Sequence, residues 1–189
     1  WYPGARGGMA AAEILFGDCS PSGKLPVTFY ESLEQLPDFE DYSMKGRTYR
    51  YMEGKAQYPF GFGLTYADTE VTSVKVSGKE KDALCLEVQM ENRSSVPTDD
   101  VLQIYIRDLE SPFETPHPHL AAFRRVHLNG NGQLCTNISL RADCFTVVDE
   151  NGKRFRDGKR YEIFAGFSQP DERSAELTGK KPVRIEYEG

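Results

Sequence analysis

No stretch of this sequence approaches the roughly 18 consecutive apolar residues that a membrane-spanning helix needs, and none shows the succession of a secretory leader. A membrane partner is therefore not expected. Clustered positive charge is missing too. The 23 Lys and Arg are outnumbered by 29 Asp and Glu, giving a net charge of −6, and they are scattered along the chain. That argues against nucleic acid as a partner and favours neutral or weakly charged ligands. Cysteine is scarce. Cys19, Cys85, Cys135 and Cys144 form no C-x-x-C pair and have no histidine-rich neighbourhood, so no zinc site is expected. They read as buried free thiols, with a Cys135–Cys144 bridge as the alternative. Thiols of that kind suit a reducing compartment, which favours the cytoplasm. Secretion stays open, because the sequons at Asn92 and Asn137 are too short a signal to decide it.

Familiar catalytic motifs are absent as well. There is no G-x-S-x-G elbow, and Gly61-Phe62-Gly63 is only part of a dinucleotide fingerprint with the wrong flanks, so it reads as a turn. Asp38, Glu40 and Asp41 in "PDFEDY" lack the ligand spacing of a calcium loop and read as a solvated loop rather than a glycosidase pair. His117 and His119 stand at alternate positions in the proline-stiffened "TPHPHL". With His127 they read as loop residues, and no metal or other cofactor is expected.

What is present begins with "WYPGARGGMAAAEILFGD". Alanine density and freedom from proline predict a helix over Arg6–Phe16, with Gly17 placed for a left-handed C-terminal cap. Beyond its first turn Glu13 is the only charged position, so the helix has no polar face for water to wet. It is expected to need packing partners from an upstream part of a larger domain, the alternative being a short helix lying on the downstream domain. "DCSPSGKLPVTFY" then predicts a tight loop and a short strand over Leu25–Phe29. Residues 30–67 form an aromatic-rich connector, too aromatic to be disordered.

From about residue 68 the pattern becomes short, regularly spaced strands: "EVTSVKVS", "ALCLEVQMEN", "DDVLQIYIRD", "AAFRRVHLN", "QLCTNISLR", "RYEIFAGFS" and "VRIEY". Turn signals at Ser77-Gly78, Asn129–Gly132, Glu150–Gly152 and Asp157-Gly158 separate them. The fold class expected is mainly β: an immunoglobulin or fibronectin type III-like sandwich preceded by a short α/β segment and the connector. In "VLQIYIRD", Leu102, Ile104 and Ile106 are expected to face the core, and Val101, Gln103, Tyr105 and Arg107 to face outward. Outward strand faces elsewhere carry mostly charged and small polar residues.

One stretch differs in kind. "KGRTYRYMEGKAQYPFGFGLTY" sets Arg47, Tyr49, Arg50, Tyr51, Tyr58, Phe60 and Tyr66 close together. Cations beside aromatics suit either stacking on a sugar ring or a seam between domains, and base rates favour the seam.

Together, "WYPGARGGMAAAEILFGDCSPSGKLPVTF", "GRTYRY", "YPFGFGLTY", "DDVLQIYIRD", "HPHLAAFRRVHL" and "FAGFS" resemble the C-terminal part of glycoside hydrolase family 3, the β-glucosidase and β-xylosidase family. The resemblance implies an upstream barrel, a middle α/β sandwich and a fibronectin type III-like domain. Residues 1–29 would then be the C-terminal piece of the α/β sandwich, 30–67 the connector and 68–189 the fibronectin-like domain. It also implies a retaining mechanism with two carboxyl groups about 5 Å apart, the nucleophile on the barrel and the acid/base from the middle domain. The nucleophile's motif does not occur here, and the segments where the acid/base is expected precede Trp1, so no catalytic residue is expected in this chain. Its role would be to brace the catalytic domains of an exo-acting β-glycosidase acting on terminal β-D-glucosyl or β-D-xylosyl residues. Trp1, Arg47, Tyr49, Arg50 and Tyr51 are the candidates for the domain interface or the substrate rim. An autonomous carbohydrate-binding or protein-interaction module is the alternative.

Overall fold

The structure is a computed structural model that describes residues 3–80 and 82–189. The opening helix α1 spans Gly7–Leu15. It ends where expected, with Gly17 at φ 82°, a left-handed geometry that costs glycine least. The chain then runs through "SPSGKLP" to β1 (Phe29–Tyr30), a 3-10 turn at Leu33–Gln35, a single helical turn α2 (Thr48–Tyr51) and β2 (Ala56–Tyr58). β1 and β2 form a two-stranded antiparallel ribbon. The strand expected at Leu25–Phe29 is thus shorter and later. Leu25 does exchange backbone bonds with the 61–62 segment, donating to Phe62 O (2.9 Å) and accepting from Gly61 N (2.8 Å). Pro26 follows with no N–H to give, and pairing resumes only at Phe29.

The sandwich is built from β3 (Thr69–Glu80), β4 (Ala83–Asn92), β5 (Thr98–Asp108), β6 (His119–Leu128), β7 (Gln133–Arg141), β8 (Val147–Val148), β9 (Arg154–Phe155), β10 (Arg160–Gly166), α3 (Glu172–Thr178) and β11 (Val183–Glu188). One sheet has the order β11-β10-β5-β6 and the other β3-β4-β7, with β8-β9 a small hairpin at the side. All pairings are antiparallel. β4 shows why these segments are strands. Leu84, Leu86, Val88 and Met90 are buried while Cys85, Glu87 and Gln89 alternate with them toward the other side, the two-residue period of a half-buried strand. They meet Leu102, Ile104, Ile106, Leu140, Tyr161 and Ile163 in one core, where each large apolar side chain contributes roughly 1.5–3 kcal/mol.

Three expectations need correction. Ser77-Gly78 is not a turn. It lies inside β3 at a register shift between Val76 and Gly78, and the chain reverses between Glu80 and Ala83. The cysteines are free, yet none is fully buried: Cys19 and Cys135 are exposed, and Cys85 and Cys144 are half-buried. The reason is register, since Cys85 pairs with Ser139 and Cys135 with Gln89, all on the outward side of β4 and β7. In β5, Leu102, Ile104 and Ile106 do face the core, but Gln103 and Tyr105 on the opposite face are buried as completely. The connector lies over them.

A candidate site under the connector

Tyr49 is the pivot of that cover. Its ring stacks on Phe60 (centroids 4.2 Å apart, 12° between planes) and meets Tyr105 edge-on at 6.3 Å. Its hydroxyl accepts a hydrogen bond of 2.9 Å from Leu120 N on β6. Burial pushes the phenol upward from its usual pKa, and more strongly that of Tyr105 beneath it. Both rings therefore remain neutral donors or acceptors at physiological pH. The preceding residue, Thr48, holds φ 58°. This region is unfavourable for a β-branched side chain and persists where the surroundings over-determine it, as they do once Tyr49 is fixed on three sides.

Below the rings, Gln103 Nε2 donates to Gly61 O (2.9 Å) and Phe167 O (3.1 Å), while its Oε1 accepts from Tyr105 OH at 2.7 Å. One side chain on β5 thereby ties the connector to the segment just after β10. Gly61 makes this approach possible, because a Cβ at φ 76° would collide with Gln103 Oε1 and Tyr105 OH. Two further stitches hold the connector. His117 Nε2 sits 2.8 Å from Met52 O, and His117 N donates to Arg50 O. Lys24 Nζ, from the "SGK" turn, lies 2.8 Å from the buried Asp100 carboxylate, which also accepts from Thr69 Oγ1. Ser20, Thr65 and Thr98 share their hydroxyls beside it.

The candidate interface residues separate. Tyr49 and Arg50 face the sandwich. Arg50 Nε is shut off from solvent without a hydrogen-bond partner among the described residues, and near it His119, whose Nε2 lies 3.1 Å from Cys144 O, has an unpaired Nδ1. Burial lowers the His119 pKa; Glu114 opposes that, while Arg50 and Arg154 reinforce it. Tyr51 is half-buried beside them. Arg47 is turned the other way, onto its own loop, donating from Nε to Ser43 O (2.9 Å) and from its terminal nitrogen to Asp38 O (3.3 Å) and Asp41 O. This clasp presents Phe39 and Tyr42 at 92% and 89% exposure. Trp1 lies outside the described residues. Sequence reasoning passed over Lys24, Gln103, Tyr105 and His117. The available signal was polar residues in the middle of an apolar strand, opposite a connector rich in rings.

Beside Tyr49 a cleft of about 810 Å³ opens between the connector and the segment after β10. Its walls include Tyr49, Met52, Pro59, Phe164 and Pro182, with Thr28, Gln169 and Asp171 as polar points. Asp171 caps α3 by accepting from Ser174 N at 2.6 Å, and burial raises its carboxyl pKa. Most charges around the rim close on one another: Arg173 donates to Ala56 O and Gln57 O and pairs with Glu176, as does Lys55, while Arg184 pairs with Glu162; Glu172 and Lys181 also line it. Among the described residues no group of His, Cys, Asp and Glu could hold a metal ion, and no helix is long and apolar enough to cross a membrane.

Against known proteins, the family model described as "Glycosyl hydrolase family 3 C-terminal domain" matches residues 1–66, and "Fibronectin type III-like domain" matches residues 100–169. The chain belongs to glycoside hydrolase family 3. Among its relatives is a xylan 1,4-beta-xylosidase of Xylanibacter ruminicola, 41% identical over 94% of this chain and 21% of that protein. A periplasmic beta-glucosidase of Salmonella typhimurium is 27% identical over 88% of this chain and 24% of its own length. The solved beta-glucosidase of Kluyveromyces marxianus superposes with a TM-score of 0.78 at 25% identity, over 96% of this chain and 22% of that one. This family 3 chain thus spans about a fifth to a quarter of the length of the relatives it matches. The match to the first domain ends at Tyr66, where the connector hands over to the sandwich.

Proposed function

We propose that this chain is the non-catalytic C-terminal portion of an exo-acting β-glycosidase, bracing the catalytic domains that hydrolyse terminal β-D-glucosyl or β-D-xylosyl residues. In this reading residues 1–29 complete an α/β sandwich domain, 30–67 are the connector and 68–189 the fibronectin-like domain. The observation that carries it is α1. No residue of α1 is buried, and Leu15 and Phe16 are 80% and 85% exposed at its end, so an apolar helix projects from an otherwise self-contained sandwich. Its one side-chain tie among the described residues is Tyr66 OH donating to Ile14 O at 2.7 Å. Exposed apolar surface of this kind marks an interface, and the preceding catalytic domains are the partner. The loop of Phe39 and Tyr42 offers further exposed apolar surface of the same kind. Outward residues of β4 and β7 such as Glu87, Gln89, Asn137 and Ser139 make no aromatic row, which weighs against an autonomous binding module.

Co-expression of this chain with the preceding barrel and α/β domain of its own full-length protein tests the proposal. The expected result is a stable complex that turns over nitrophenyl β-xyloside or β-glucoside, while the chain alone turns over neither. Turnover by the chain alone, abolished by substituting one of its own residues, overturns the reading. So does a strictly monomeric chain with no affinity for the catalytic half.

A further inference from the structure

We propose that the cleft beside Tyr49 is a binding site for a neutral saccharide ring. Its volume, about 810 Å³, lies within the roughly 300–1,000 Å³ typical of small-molecule sites, as does its make-up of apolar walls with a few polar points. A pyranose presents that combination in mirror image, with C–H-rich faces for Tyr49, Phe164 and Pro182 and a rim of hydroxyls.

Charge selects against other ligands. Of the cations lining the cleft, Lys55, Arg173 and Arg184 are spent on Glu176, Glu162 and backbone carbonyls, and Lys181 is offset in net charge by the lining Glu172 and Asp171, so little net field remains to hold an anion. An apolar ligand fits no better. Gln169, 5% exposed, and Thr28 both line the cleft, and Gln169 Oε1 and Thr28 Oγ1 are closed to water with no partner among the described residues. Buried oxygens left unpaired are costly, and a rotation of either side chain toward the cleft lets an entering hydroxyl supply the missing donor. Asp171 stands on the same wall with its carboxyl already partly satisfied by Ser174, leaving acceptor capacity for a second hydroxyl. The site is assembled from both regions of the chain, Thr28 and Tyr49 from the connector side and Gln169 and Asp171 from the sandwich side. It needs no catalytic domain, so it stands or falls separately from the function proposed above.

The test is a titration of this chain with xylobiose, cellobiose and inorganic phosphate, followed by amide NMR shifts and calorimetry. The expected result is saturable disaccharide binding in the millimolar range, with shifts confined to Thr28, residues 49–59, 164–176 and 181–184, and no response to phosphate. Gln169→Leu and Thr28→Val each lower the affinity by roughly tenfold, the worth of one well-made hydrogen bond. Phe123→Ser, on the exposed side of β6, leaves it unchanged. The shift map of the unsubstituted chain decides even where a variant fails to fold. Absence of saturable binding overturns the proposal, as do shifts mapping elsewhere, affinity that survives both substitutions, or phosphate displacing the sugar.

Discussion

Residues 69–188 close a core of their own, with Leu86, Val88, Leu102, Ile104, Ile106, Leu140 and Ile163 lost from water on facing sheets. Residues 3–67 do the opposite. They leave Met9, Leu15, Phe16, Leu33, Phe39 and Tyr42 exposed and gain order by leaning on the sandwich through Tyr49, His117, Gly61 and Lys24. One region carries its stability in packed volume, the other in a few directed contacts to a neighbour. The difference teaches that the same aromatic richness has two outcomes, decided by whether a partner surface lies within reach.

The comparison breaks first in the core. Ile104→Ala should cost about 2–5 kcal/mol in denaturant unfolding through lost contact and a residual cavity, and a loss below about 1 kcal/mol would mean the core is less well packed than described. Gln103→Ala, one position along, should cost about 1–3 kcal/mol, because it leaves Tyr105 OH and Gly61 O without their partner under the connector. It should also raise proteolysis within residues 31–60 while the sandwich resists. Uniform proteolysis of both regions would mean that connector and sandwich are held with equal firmness.

Acid gives a smaller effect at the seam. His119 has its pKa depressed by burial, so the native state binds fewer protons than the unfolded chain just below the ordinary value of about 6.5. The stability it contributes is complete above that value and is lost as pH falls through it toward the native pKa. His119→Gln should flatten that part of the stability–pH curve between neutrality and pH 5. An unchanged curve assigns the acid sensitivity to other groups. Smallest of all is Phe16→Ser at the end of α1, which should move the thermal midpoint of the isolated chain by the equivalent of less than about 0.5 kcal/mol, while weakening association with the catalytic domains proposed as its partner. Strong destabilisation of the chain alone would show that α1 belongs to this core after all.

The strands were legible because a two-residue period with turn chemistry at each end is a local signal. β4 and β7 match their expected bounds residue for residue, and α1 differs only by fraying at its ends. The short pieces β8, β9 and α3 have too few residues to show a period. The burial of Gln103 and Tyr105 was illegible for another reason. Alternation along β5 assigns them correctly to the second face, but which faces are wet depends on a segment more than 40 residues away in sequence. The candidate interface residues illustrate the same limit: "GRTYRY" marks a place where rings and cations gather, yet only the structure separates Tyr49, turned to the sandwich, from Arg47, clasped onto its own loop.

The ion pair between Lys24 and Asp100 bears on how such chains recombine. A cut at the junction before β3 would look clean on a domain map, but it would strand a carboxylate that is 1% exposed and paired with Lys24 on the far side of the cut. Uncompensated buried charge is among the more damaging defects a fold can carry, worth about 3–5 kcal/mol when one partner is removed. The sandwich and its strap from Ser20 onward are therefore best kept together in any recombination. Grafts between family members should keep lysine and aspartate from the same parent.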